Sequence, residues 1–342
     1  MSSETKIKLV AATNVGLLRQ NNEDNFVVCS DLNEAQWTIP QVDDFADLGE
    51  YGALLVVADG MGGANAGEVA SAIAVDTVKA SFTPEQLAKV VETEKSILEY
   101  MKQVVKAADL SIVNTSKENS ETQGMGTTIV MAWVYKKKAY VCWCGDSRCY
   151  VFNANVGLTR LSKDHSFVQE LVDKGELDPE YASDHPMSNV ITRCLGDSEK
   201  RAVPDTRVYD LHTGDILLLC SDGLCGLCRD EEIMHVMNEN QEDLNDCRNA
   251  LISSALGAGG YDNVTVALCA IEIEEEKDEM MSSTIRSNTV GHRIPRSLII
   301  LMILLIGAGV YIYSASECEP LRQQINTVAS TLILQIKSYF TK

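Results

Sequence analysis

"LLVVADGMGG", residues 54–63, decides how this chain is read. Five apolar residues, Leu54 to Ala58, run without a polar break into Asp59, and glycines follow at 60, 62 and 63. An uninterrupted apolar run of this kind predicts a strand buried on both faces. A carboxylate at the end of such a strand is costly to bury unless something pairs with it. Asp59 therefore either caps the helix that follows or holds a cation.

The construction recurs. "ILLLCSD" ends on Asp222 and is followed by Gly223, "YVCWCGD" ends on Asp146, and Asp262 stands just before the apolar run "NVTVALCAIEI". Glu23 and Asp24 stand just before Phe26-Val27-Val28. A single strand-ending aspartate is most simply a helix cap. Five predicted strands, each with a carboxylate at one end and three of those beside glycine, are much less easily explained by capping. If the ends converge, the carboxylates cannot all stay ionised without cations. Ligation by oxygen alone favours Mg²⁺ or Mn²⁺ over zinc. Glycine at these positions lets the backbone approach closely enough to offer a carbonyl or admit a substrate.

Composition narrows the alternatives. The chain has 342 residues, 45% hydrophobic and 23% charged, enough for one large domain or two ordinary ones. A net charge of −20 argues against nucleic-acid binding through a basic groove. An acidic protein can still act on phosphates where cations reverse the local sign. The glycines of "GMGG" belong to neither a Walker nor a dinucleotide-binding pattern. His165, His185, His212, His235 and His292 form no metal-ligand spacing. Ten of the eleven cysteines precede residue 270 and several sit in apolar runs, as reduced, buried cysteines do. Cys225-Gly-Leu-Cys228 has redox-motif spacing; no second such pair and no histidine cluster accompanies it, which argues against zinc, and its simplest reading is helix-start residues.

Residues 83–113 predict one long helix, with Thr83 and Gln86 as a capping box and Pro84 in the first turn. Leu87, Val90, Val91, Ile97, Leu98, Met101, Val104 and Val105 form its apolar face. Residues 127–152 predict a meander turning at the lysines 136–138. Strand runs separated by helix pairs favour an α+β sandwich over a doubly wound sheet. The predicted globular domain is 1–271 and is followed by an acidic, then polar, then basic linker, 272–296. From Ser297 to Ala315 there are nineteen uncharged residues. As a helix these would span roughly 28 Å, close to the thickness of a bilayer core. Arg293 and Arg296 before this span and Glu317 and Glu319 after it place the globular domain in the cytoplasm of a single-pass membrane protein. In the tail, 316–342, Ile325, Val328, Leu332, Ile336 and Tyr339 recur at amphipathic-helix steps.

The motifs "RQNNEDNF" (19–26), "VVADGMGG" (56–63), "GMGTT" (124–128), "CGDSRCY" (144–150), "LSKDHS" (161–166), "NVITRCLG" (189–196), "LCSDGL" (219–224) and "YDNVTV" (261–266) stand in this order. Across residues 6–272 the sequence resembles the bacterial-type protein phosphatase 2C family of metal-dependent serine/threonine phosphatases. That resemblance implies a four-layer α-β-β-α sandwich with two Mn²⁺ or Mg²⁺ ions in a cleft at one end. It implies that Asp59 bridges both ions and that the Gly60 carbonyl binds one. It further implies that Asp222 and Asp262 serve the first ion, and Glu23 and Asp24 the second, directly or through water. Arg19 matches the arginine that clamps the substrate phosphate, and Asp146 matches the ligand of a third, weaker ion. Residues 164–198 match the flap beside the cleft. A bridging hydroxide would then attack phosphoserine or phosphothreonine in line, within a serine/threonine kinase pathway and beside membrane lipid engaged through 297–315. Met61 departs from animal-type members, which have histidine there, so a leaving-group acid is missing. The 34 residues between Asp24 and Asp59 are expected to form a hairpin extension. The competing class is an inactive, membrane-tethered binding module; intact Arg19, Asp59, Asp222 and Asp262 argue against it.

Overall fold

The computed structural model describes residues 5–40, 44–62, 66–118 and 120–274. The chain begins with strands β1 (Thr5–Asn14), β2 (Asp24–Cys29), β3 (Ala46–Asp47) and β4 (Ala53–Met61). Helices α1 (Ala66–Ser81), α2 (Pro84–Val90) and α3 (Glu94–Glu118) follow. Next come β5 (Gly126–Thr127), β6 (Ile129–Tyr135), β7 (Lys138–Cys144), β8 (Arg148–Asn153) and β9 (Gly157–Arg160). After α4 (Phe167–Asp173) lie β10 (Asp205–Asp210), β11 (Ile216–Cys220) and the short α5 (Asp222–Cys225). Helices α6 (Asp230–Asn240) and α7 (Leu244–Gly257) and strand β12 (Val264–Ile273) complete the described residues.

The strands form two antiparallel sheets, ordered β3-β1-β12-β11-β8-β9 and β10-β7-β6-β4-β2, with β5 against β4. Strand parity explains why the runs are apolar throughout. On β4, Leu54, Val56 and Ala58 pack under α1 and α3, whereas Ala53, Leu55 and Val57 enter the layer between the sheets. On β11, Leu217 and Leu219 join that same middle layer, and Ile216, Leu218 and Cys220 face α5, α6 and α7. Three cores therefore separate four layers, helix–sheet–sheet–helix, the order that the family resemblance implies.

The structure corrects several local expectations. The long helix is two, because Thr93 and Ser96 cap a fresh start. The Ser96 N–H donates to Thr93 Oγ1 and the Thr93 N–H to Ser96 Oγ, both at 3.1 Å. Thr83 is the N-cap of α2 with Pro84 behind it, but its side chain makes no capping bond. The meander holds only for β6–β7. Gly145-Asp146-Ser147 then carries the chain out of one sheet and β8 pairs with β11 in the other. The excursion after β2 joins two strands that do pair antiparallel, β2 and β4, but on its way β3 adds to the edge of β1 in the other sheet. Strand β12 runs to Ile273, opposite Thr5, two residues past the expected domain boundary. The expected membrane span and tail, 297–342, lie outside the described residues, and no helix among the described residues is long and apolar enough to cross a membrane.

Candidate metal centre

Strand parity also aims the carboxylates. Asp59 continues the series Ala53, Leu55, Val57 and so emerges where β4 leaves the middle layer. Asp24 lies opposite it in the β2–β4 register. The Asp24 carboxylate reaches across to the other sheet, where its Oδ2 accepts hydrogen bonds from Ser221 Oγ (2.7 Å) and Thr265 Oγ1 (2.6 Å). These two hydroxyls thus seal the end of the middle layer beneath the cleft.

Above them is a cleft of about 380 Å³ lined by Arg19, Glu23, Asp59, Gly60, Asp146, Asp222 and Asp262, among others. The fold brings together the predicted site residues with one distinction: Asp24 is buried below the cleft and does not line it. Arg19 Nη2 donates to Asp262 Oδ2 at 2.8 Å on the rim. Among the described residues, Glu23, Asp59, Asp146 and Asp222 have no basic partner within ion-pair distance.

The electrostatic consequence is large. Burial pushes Asp24 up to about 7, against the bonds from Thr265 and Ser221 and with repulsion from Asp222 and Asp262. Burial likewise raises Asp146 to about 7, with Asp222 and Asp164 adding to the shift. Asp59 is held well above the ordinary carboxylate range by burial and by the charges of Asp222, Asp24 and Asp146. Burial and Asp262 raise Asp222, and burial raises Glu23. Crowded carboxylates without basic partners fit divalent cations, which relieve both burial and repulsion. Among the described residues no group of three or more His, Cys, Asp or Glu side chains is drawn together closely enough to hold a metal ion as it stands.

Backbone support comes from residues to which the sequence reading assigned no role. Thr127 Oγ1 and the Thr128 N–H both donate to the Asp59 carbonyl at 2.8 Å, and the Asp59 N–H donates to Thr128 Oγ1 at 3.1 Å. Thr128 Oγ1 also meets Ser147 Oγ at 2.6 Å, tying Asp59 to the crossing that carries Asp146. "GMGTT" and "CGDSR" held this signal as paired hydroxyl residues beside the carboxylate-bearing segments. Gly60 is required by close approach: a Cβ there would lie 2.2 Å from the Gly67 carbonyl oxygen and 2.5 Å from that of Glu23.

Part of the cleft lining comes from the 164–198 region, through Asn189 and Ile191. His165 is buried within this region and serves structure. Its Nδ1 accepts the Gly145 N–H at 3.1 Å and its Nε2 lies 3.1 Å from Asp205 Oδ2. The ten described cysteines are all free, and a bond to Cys220 together with burial raises the Cys225 thiol, contrary to the needs of a redox pair.

Residues 36–257 match the family profile described as Protein phosphatase 2C. The chain is 33% identical over 264 residues to the serine/threonine phosphatase stp of Listeria monocytogenes, covering 77% of this chain and 96% of that protein. Among solved structures it resembles serine/threonine phosphatase Stp1 from Staphylococcus aureus, at 34% identity and a TM-score of 0.68, covering 80% of this chain and 98% of that one. It also resembles the catalytic domain of serine threonine protein phosphatase PstP in complex with 2 manganese ions. There the identity is 30% and the TM-score 0.61, with 78% of this chain and 99% of that one covered.

Proposed function

Because the chain belongs to the protein phosphatase 2C family, as a bacterial-type serine/threonine phosphatase, we propose that its cleft works with two Mn²⁺ or Mg²⁺ ions. The observation that carries this reading is the convergence of carboxylates from both sheets on one cleft, with Arg19 as the guanidinium at its rim. When bound, such ions supply an activated water near neutral pH and neutralise the phosphate charge.

Asp59 would hold both ions, with the Gly60 carbonyl as a further ligand. Asp222 and Asp262 would hold the first ion and Glu23 the second. Asp24 would act on the second through water, since its Oδ2 already accepts from Ser221 and Thr265. Asp146 would hold a third, weaker ion. Arg19 is half exposed and can turn its planar donors to two phosphate oxygens of phosphoserine or phosphothreonine. Met61 lines the cleft but has no proton to give, so water protonates the leaving alkoxide. The nucleophile is water, and no phospho-enzyme forms.

The manganese-bound PstP catalytic domain supports the choice of metal. The uncharged stretch 297–315, flanked by Arg293 and Arg296, supports a cytoplasmic phosphatase domain held at the cell membrane, acting on phosphoproteins of a serine/threonine kinase pathway.

The test uses full-length chain purified in detergent, a phosphothreonine peptide and added Mn²⁺. Asp59→Asn is expected to lower kcat at least about a hundredfold while remaining folded. EDTA should abolish wild-type turnover. Near-wild-type turnover by Asp59→Asn in excess Mn²⁺, or turnover surviving EDTA, would refute the two-ion reading.

A further inference from the structure

The loop between β1 and β2 carries both Arg19 and Glu23, yet it lies outside both sheets. Central to what holds it is one buried side chain, Asn263, only 4% exposed. Asn263 Nδ2 donates to the Val15 carbonyl at 2.9 Å and to the Asn21 carbonyl at 3.0 Å. Its Oδ1 accepts the Glu23 N–H at 2.7 Å. One carboxamide therefore binds the loop before Arg19, after Arg19 and at Glu23. Further bonds close the loop: the Leu17 N–H donates to the Gly260 carbonyl, the Gly16 N–H to Asn14 Oδ1 and Asn22 Nδ2 to Thr13 Oγ1.

Only an amide of this length meets the demand, because two donors and one acceptor must face three fixed backbone groups. Aspartate would turn carboxylate lone pairs toward two carbonyls, and alanine would leave buried backbone groups without these partners. The two leucines next to Arg19 point outward, Leu17 63% and Leu18 70% exposed, so core packing does not hold this part of the loop. Its geometry rests on hydrogen bonds.

We propose that Asn263 is a positioning residue for phosphate recognition: it holds the 15–23 loop so that the Arg19 guanidinium is presented to the cleft. The inference rests on the phosphate-holding role given to Arg19 above. Arg19→Ala without the Asn263 substitution tests that role separately.

The experiment is a double-mutant cycle on the full-length chain, reading KM and kcat for p-nitrophenyl phosphate, inhibition by inorganic phosphate, and Tm. Asn263→Ala is expected to raise KM and the phosphate inhibition constant roughly tenfold, with kcat changed less than about threefold. In the Arg19→Ala background, the same substitution should change KM by less than about twofold. Asn263→Asp should fail like Asn263→Ala despite its equal size. A full effect of Asn263→Ala persisting in the Arg19→Ala background would overturn the proposal, since the residue would then act through Glu23 or through folding. Wild-type KM in a folded Asn263→Ala chain would overturn it as well. A normal KM for Arg19→Ala alone would refute the parent reading and this inference with it. Should Asn263→Ala not fold, Asn263→Ser replaces it, keeping a hydroxyl near the Glu23 N–H and removing both amide donors, with the same expected pattern.

Discussion

At the scale of single residues, the cleft stores electrostatic cost. Asp24 and Asp146 are raised from 3.8 to about 7, chiefly by burial, and burial likewise holds Asp59 well above the ordinary carboxylate range. A carboxyl raised in the folded state binds more protons there than in the unfolded chain, so stability falls as pH rises through the folded value. Metal-stripped protein should therefore lose Tm between about pH 4 and about pH 7, and saturating Mn²⁺ should raise Tm more at the upper end. Thermal melts in EDTA and in Mn²⁺ test this; a metal-free Tm that climbs with pH would contradict it. Asp146→Ala should lower kcat strongly while two Mn²⁺ per chain remain bound. A nearly normal kcat would reduce Asp146 to a turn residue. These carboxylates could be found in the sequence because each interrupts an apolar run. The sunken position of Asp24 could not, because it depends on two hydroxyls nearly 200 and 241 residues away, Ser221 and Thr265. Asn263 was equally hidden: its three partners lie about 240 residues upstream and meet it only after folding.

At the scale of elements, period and parity decided most of what could be read. The runs 54–58, 216–220 and 266–271 were legible as strands because burial on both faces leaves no polar position within them. The break between α2 and α3 was missed because the apolar series runs on across it, whereas the cap is a local hydroxyl exchange between Thr93 and Ser96. Thr93→Ala should cost about 1 kcal/mol of stability in urea unfolding and leave kcat unchanged. An unchanged midpoint would show that packing against the sheet alone starts α3. The partner of β8 was likewise hidden, since a tight turn looks the same whether the chain returns to its own sheet or crosses to the next. That crossing sets Asp146 between sheets, where Thr128 and Ser147 join its loop to the backbone of Asp59.

At the scale of the whole molecule, the site follows from layering. Two sheets packed face to face share a middle core, and side chains that continue its series emerge together where the strands end. Asp59 and Asp24 come from one sheet, Asp262 and Asp222 flank strands of the other, and Asp146 lies on the chain that passes between them. For the segment 297–315, a cysteine placed at position 325 should react with a membrane-impermeant reagent only from the outer side of the membrane. Labelling only from the cytoplasm would reverse the proposed topology. The convergence itself is tested most directly by anomalous X-ray scattering at the manganese edge, on crystals of the full-length chain grown with Mn²⁺. The layered arrangement predicts two strong peaks in the cleft that share Asp59 as a ligand, one toward Glu23 and the Gly60 carbonyl, the other toward Asp222 and Asp262. A cleft without manganese in crystals of active protein, or manganese bound only away from Asp59, would contradict it.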